Sequence, residues 1–237
     1  MNRLLVIFAC ALVSTRAYGQ VREIRQAQSS ADQTVTSDPS IVITQPGSYR
    51  LLSNVVATGS DPAIEIRAFN VTLDLNGFLV DAQGGGAAIF ATGPTGATAI
   101  VVKNGNVHSV GDGIRLQAGN CRVEHVVVGN VGRNGIGISA GGNCTIRENT
   151  VVAADVGISC IFCAVESNSV SVVGKAGIEA TNGSLVLNNK VNSALGTGLV
   201  LDSTTGYANN VLSFNGTDVS GGVQIGSNLC ATNGICP

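Results

Sequence analysis

One short pattern, a small residue followed by an apolar one, recurs along most of the chain. Its apolar members are Ile64, Ile89, Ile114, Ile136, Ile158, Ile178, Leu199 and Val223, spaced 20 to 25 residues apart. The position two residues further on is apolar in every copy, and this alternation predicts strands rather than helices. Because a unit of this length cannot bury its own apolar face, the units must stack on their neighbours.

Each unit also carries a second strand, which several copies close with an Asn-x-Val motif. The motif begins at Asn149, Asn168 and Asn189, and the next copy is displaced to Asn209. Stacked Asn side chains can hydrogen-bond to the backbone of a turn and to one another. A leucine-rich repeat has a similar period but requires a regular leucine series, and leucine is sparse here. The sequence therefore predicts an all-β fold, a single-stranded right-handed parallel β-helix of about eight turns.

The first residues have the pattern of a secretory signal peptide. Arg3 precedes an apolar stretch from Leu4 to Val13, and small residues stand just before Gln20. No later apolar run is long enough for a membrane span, so we expect a secreted mature chain, extracellular or periplasmic. The expected organisation is a signal peptide at 1–19, an N-terminal cap or lead-in at 20–43, β-helix repeats at 44–229 and a short C-terminal tail at 230–237.

The charge of the chain argues against a nucleic-acid partner. Lys and Arg number 13 and Asp and Glu number 15, which makes a net charge of −2. The net charge becomes −4 when Arg3 and Arg16 leave with the signal peptide. A nucleic-acid-binding surface is typically basic.

The segments DGIRL, CRVEHVVV, NGIGI and CTIRENTVV resemble the repeats of the pectin-lyase-like superfamily of right-handed β-helix proteins, in its secreted bacterial form. The resemblance extends roughly from Ile43 to Pro237. It implies the fold but no single activity, because the superfamily includes lyases, polygalacturonases, epimerases and phage tailspikes. Its lyases use calcium and its polygalacturonases several Asp residues on adjacent turns. Here the outward columns place no two acidic residues on adjacent turns, so we expect no metal and no cofactor.

The most promising polar cluster surrounds His125. This residue is expected to stack near Glu148, beside Glu124 and Arg147, where an imidazole could be oriented as a base. The charges of Glu124, Arg147 and Glu166 alternate from turn to turn, as a solvated ion ladder requires, and we favour that interpretation. Asp112 is the other acidic candidate, but a lone carboxylate cannot supply both the acid and the base of glycoside hydrolysis.

Carbohydrate binding would favour an exposed aromatic platform. Phe90 faces outward in the predicted register and is the one candidate for stacking on a sugar. Aromatic residues are few, and a β-helix wall without any sugar-binding role explains them at least as well.

Six cysteines follow the predicted signal peptide. Cys230 and Cys236 flank a short segment of the tail, where we expect a disulfide. Cys121, Cys144 and Cys163 share one column on the core face, and we expect chiefly core packing, with a bridge or a metal as alternatives. Cys160 and Cys163 have the spacing of a redox motif but lie at a strand corner rather than at a helix N-terminus.

Three functions fit these features. The first is an exported β-helix that binds polysaccharide or another cell-envelope component on its flank without catalysis. The second is a polysaccharide lyase or a glycosidase-like enzyme with an unusual site near His125. The third is a structural rod or adhesin module.

Overall fold

The computed structural model describes residues 21–24, 41–92, 99–132, 135–231 and 236, and the signal peptide expected at 1–19 lies outside them. The described residues form strands and no α-helix. The strands in chain order are β1 (Arg22–Ile24), β2 (Ile41–Ile43), β3 (Gly47–Leu51), β4 (Val55–Ala57), β5 (Ile64–Ile66), β6 (Val71–Asp74), β7 (Leu79–Ala82), β8 (Ile89–Thr92), β9 (Ile100–Ser109), β10 (Ile114–Gln117), β11 (Cys121–Gly129), β12 (Ile136–Gly141), β13 (Thr145–Arg147), β14 (Thr150–Val152), β15 (Val156–Ile161), β16 (Ala164–Glu166), β17 (Ser169–Val173), β18 (Ala176–Thr181), β19 (Leu185–Leu187), β20 (Lys190–Ala194), β21 (Thr197–Leu201), β22 (Gly206–Ala208), β23 (Val211–Ser213), β24 (Thr217–Ser220), β25 (Val223–Gln224) and β26 (Leu229–Cys230).

The strands build a parallel β-helix of about nine turns, close to the eight predicted, and this confirms the fold class. A nine-stranded sheet takes one strand from each turn, from β2 to β24. A 17-stranded sheet takes the remaining strands, and β9 and β11 each run through two strand positions of their turn. None of the described residues belongs to a helix long and apolar enough to cross a membrane.

The core is a set of inward columns that run along the helix axis. In the 17-stranded sheet one such column is in strict register and fully buried. Its members are Val80, Val107, Val128, Val151, Val170, Val191 and Leu212. Burying each side chain stabilises the fold by roughly 1.5–3 kcal/mol before the entropy cost of ordering is counted.

The predicted register is wrong at two turns of the nine-stranded sheet. Ile114 pairs with Ile138 rather than with Ile136, and Leu199 pairs with Val219 rather than with Val223. The stretch from 135 to 138 reads Gly-Ile-Gly-Ile, so two registers satisfy the local pattern equally. Since they differ by two residues, both keep isoleucine on the core face.

The asparagine column forms a continuous buried ladder. Asn168 Nδ2 donates to the Ile146 carbonyl at 2.9 Å and to Asn189 Oδ1 at 3.0 Å. Asn189 Nδ2 in turn donates to Asn210 Oδ1 at 3.1 Å. The displaced copy predicted at Asn209 is therefore wrong, and the adjacent Asn210 continues the ladder because two consecutive asparagines fit the same local motif.

One corner of each turn is made by a residue with left-handed backbone. In the column that precedes the asparagine ladder, φ lies between 55° and 59°. The members of this column are Asn104, His125, Glu148, Ser167, Asn188 and Asn209. Asn adopts this region readily, whereas other residues with a Cβ atom do so at a cost. The corner turns His125 and Glu148 outward from consecutive turns of the helix.

Two disulfides join described cysteines. Cys230 and Cys236 are bridged in the tail, and Cys121 and Cys144 are bridged inside the core with a Cα–Cα distance of 4.5 Å. The expectation of unbridged core packing is wrong for Cys121 and Cys144, because the step between consecutive turns lies within the distance range of a disulfide. Cys163 and Cys160 remain buried thiols.

Candidate functional site

A column of alternating charge runs along the outside of the 17-stranded sheet, next to the left-handed corner. Seven consecutive positions alternate in sign. This charge ladder consists of Glu23, Arg50, Asp74, Lys103, Glu124, Arg147 and Glu166. Opposite charges on neighbouring strands contribute roughly 0.2–1 kcal/mol per pair. The sequence alone revealed only the last three members, because turns of unequal length separate the earlier ones.

The best-formed pair of the ladder is Glu124 with Arg147. Arg147 donates from Nε at 2.9 Å and from Nη2 at 2.7 Å to Glu124 Oε2, and the Glu124 side chain is only 12% exposed. Burial by itself raises the pKa of Glu124. The hydrogen bond and the charge of Arg147 lower it by more than that, with smaller contributions from Arg122 and His125, so the pKa lies below its usual value. Glu124 is therefore held as a carboxylate.

His125 and Glu148 meet at the corner beside this pair. His125 Nε2 lies 2.5 Å from Glu148 Oε2, and the two side chains are 52% and 46% exposed. A carboxylate on one ring nitrogen orients an imidazole and leaves the other nitrogen for a substrate. The pair thus has the geometry of an oriented base, but it stands on an open corner.

Two shallow cavities lie elsewhere on the described surface. One of about 430 Å³ lies at the C-terminal end of the helix against Tyr207, Val219 and Gln224. The other, of about 230 Å³, is lined by residues such as Val131 and Asp155. Neither contains His125 or Glu148, so a substrate at this pair would remain in contact with water.

A second cluster lies on the outer face of the nine-stranded sheet. Arg115 stacks over the ring of Phe90, with Cζ 5.8 Å from the ring centre, and its Nη1 lies 3.6 Å from Asp112 Oδ2. With the Gln117 amide oriented to present its oxygen, Arg115 Nη2 donates to that oxygen at 2.9 Å. Glu65 is the neighbour of Phe90 on the preceding turn. We call these five residues the arginine–phenylalanine cluster.

The sequence offered Asp112 and Phe90 as two separate candidates. In the structure both side chains contact the guanidinium of Arg115. Arg115 is the residue that sequence reasoning missed. Its signal was the outward column Glu65, Phe90, Arg115, which the repeat pattern already placed in register. What the column did not show is that Asp112, at the corner before β10, turns toward the same side chain.

The remainder of this outward column is mixed. After Arg115 it reads Ser139, Ser159, Glu179, Val200 and Ser220 on successive strands. The column therefore has an aromatic ring and charged side chains at one end and hydroxyl groups along its middle.

Within the described parts of the chain, no group of three or more His, Cys, Asp or Glu side chains is placed to hold a metal ion. No protein-family model, curated protein or solved structure matches the chain. The β-helix is shown by the strand registers themselves.

Proposed function

We propose that the protein is an exported β-helix of the pectin-lyase-like type that binds polysaccharide or another cell-envelope component on its outer flank. The observation that carries this proposal is the arginine–phenylalanine cluster. An aromatic ring offers an apolar face to the C–H groups of a sugar, and the carboxylates, amide and guanidinium around it are donors and acceptors for hydroxyl groups.

The contacts within the cluster also support binding. Phe90, Asp112 and Gln117 hold Arg115 from three sides, so its guanidinium loses little freedom when a ligand arrives. The cluster lines neither of the two cavities described above, and the face of a long sheet suits an extended chain rather than a small molecule, which typically occupies a concave pocket. Two disulfides are what an oxidising extracellular or periplasmic location favours.

The test is a polysaccharide array with the mature chain, followed by titration of the best ligand. Phe90→Ala is expected to weaken binding about threefold to tenfold, which corresponds to the roughly 0.5–1.5 kcal/mol of an aromatic contact. Glu179→Gln lies on the same outward column several turns away and serves as the matched control. Binding that Phe90→Ala leaves unchanged would refute this site, and an array without any ligand would refute polysaccharide as the bound component.

An enzyme centred on His125 is the second candidate, because His125 and Glu148 form the oriented pair described above. The same array is read for unsaturated uronate products and for new reducing ends. We expect neither. Product formation that His125→Ala abolishes and His108→Ala preserves would replace the binding function with catalysis, since His108 lies on another strand position beside Asp81 and Gly129.

A further inference from the structure

Four cysteines occupy neighbouring places in the core. Cys121, Cys144 and Cys163 stand at the same position of three consecutive turns, and Ser184 continues the column. Cys160 lies at the end of the strand in the other sheet, across the corner from Cys163. All four cysteine residues are only 2–4% exposed.

The two steps of this column are equivalent. Arg122 pairs with Thr145, and Thr145 pairs with Ala164, so the step from Cys144 to Cys163 repeats the step from Cys121 to Cys144. The Ala164 amide donates to the Cys144 carbonyl at 2.9 Å, which fixes this second step. Because the first step is bridged at a Cα–Cα distance of 4.5 Å, the second has the spacing that a disulfide needs.

Cys163 is also prepared as a nucleophile. The hydrogen bond with the Cys160 thiol lowers the pKa of Cys163, burial opposes this, and bonds to backbone groups of Cys144 and Ile161 lower it again. The same thiol–thiol hydrogen bond, together with burial, raises the pKa of Cys160. Of the two thiols, Cys163 is therefore the one that loses its proton more readily.

We propose that the core disulfide is mobile along the column, and that Cys163 exchanges with Cys144 so that the bridge moves from Cys121–Cys144 to Cys144–Cys163. The Cys163 thiolate attacks Cys144 Sγ, an S–S bond forms between them, and the bond to Cys121 breaks. The electron pair leaves on Cys121, which takes up the proton that Cys163 has lost. The oxidation state of the chain is unchanged, so no external oxidant is required.

Cys144 lies between Cys121 and Cys163 along the column, which is the order of residues that displacement at the Cys144 sulfur requires. Burial shields all three sulfurs from dissolved thiols, because access limits exchange with outside partners. The core thus always contains one disulfide, which links Cys144 either to the preceding turn or to the following turn. This behaviour is independent of what the outer flank binds.

The tryptic map makes the two bridges directly distinguishable. Cys121 falls in residues 116–122, Cys144 in 134–147, and Cys160 with Cys163 in 148–175. The native chain is incubated at about pH 8.5, near the ordinary thiol pKa, without added thiol, then quenched in acid, alkylated and digested. We expect linked 134–147/148–175 peptides beside the linked 116–122/134–147 peptides.

Serine variants identify the attacking sulfur, and Ser184 shows that serine fits this column. Cys163→Ser is expected to abolish the 134–147/148–175 product completely. Cys160→Ser should retain it but slow its appearance, because the hydrogen bond that favours the Cys163 thiolate is lost. Cys121→Ser should place the whole bridge at Cys144–Cys163.

The wild-type map decides the proposal even if a variant does not fold. Only the 116–122/134–147 product at every time point would overturn it. A 134–147/148–175 product that survives in folded Cys163→Ser would overturn it as well, because Cys160 would then be the partner.

Discussion

At the scale of single residues, the left-handed corners determine which side chains the turns tolerate. Another column of such corners, at or just after the end of the third strand of each turn, contains few asparagines. Its members are Asn130, Ala153, Val172, Ser193 and Phe214. Val172 has φ of 55° and is 59% exposed, so its branched side chain is held in an unfavourable backbone region with little packing in return. A left-handed residue with a Cβ atom costs roughly 1–2 kcal/mol.

Val172→Asn is therefore expected to raise the free energy of unfolding by about 1 kcal/mol, because Asn accepts this conformation. Urea denaturation monitored by circular dichroism measures the change. The matched inverse is Asn188→Val, at a left-handed corner one turn away, which is expected to lower stability by a similar amount. Equal stability of all three proteins would show that the corners carry no such cost.

At the scale of elements, the charge ladder stabilises the pairing of neighbouring strands on their outer face, where side chains are not buried in the core. Arg147 stands between two acidic residues, Glu124 on one turn and Glu166 on the next. Each ion pair contributes to the stability of the two strands it joins, and salt screens that contribution. This makes the ladder a stabilising feature of the wall beside the His125–Glu148 pair.

Arg147→Glu places three acidic residues on consecutive turns. We expect it to lower the free energy of unfolding by about 1–2 kcal/mol at low salt, since two attractive pairs become repulsive, and by clearly less at about 1 M salt. Lys190→Glu is the control, because its neighbours Ser169 and Val211 carry no charge. An equal loss in both variants, or a loss that salt leaves unchanged, would contradict the role given to the ladder.

At the scale of the whole molecule, each turn packs only on the turns before and after it. A stack of this kind has stability that varies along its length, and its ends open more easily than its middle. The last described strand is β26, which pairs with β23 and is tied by the Cys230–Cys236 disulfide.

Replacing both Cys230 and Cys236 by serine is expected to increase amide exchange at Leu229–Cys230 and Val211–Ser213. Exchange at Ile114–Gln117, many turns away, should stay unchanged, because a local staple acts on the turns it contacts. Hydrogen exchange read by mass spectrometry measures both regions at once. Uniformly faster exchange along the chain would instead mean that the helix opens as a single cooperative unit.

Much of the architecture follows from the sequence alone. The recurring small-apolar pair predicts strands, stacked turns and the identity of most core residues, because a period of two assigns each side chain to a face wherever the exact register falls. The error at Ile136 left the predicted face unchanged because it shifted the register by two residues. At Val223 and Asn209 the side chains themselves were misassigned, since Val223 is exposed and Asn210 is the buried member of the ladder, but the stack of parallel turns was unaffected. The contact of His125 with Glu148 needed only the spacing of two adjacent turns.

The tertiary structure decided what depends on neighbours across the stack. It selected Ile138 over Ile136 where both satisfied the local pattern, joined Asp112 and Phe90 through Arg115, and extended the charge ladder across turns of unequal length. It also placed a disulfide between Cys121 and Cys144. The physical reason is that a local pattern assigns a face, whereas the hydrogen bonds and packing of adjacent turns together select one register and hence which side chains meet.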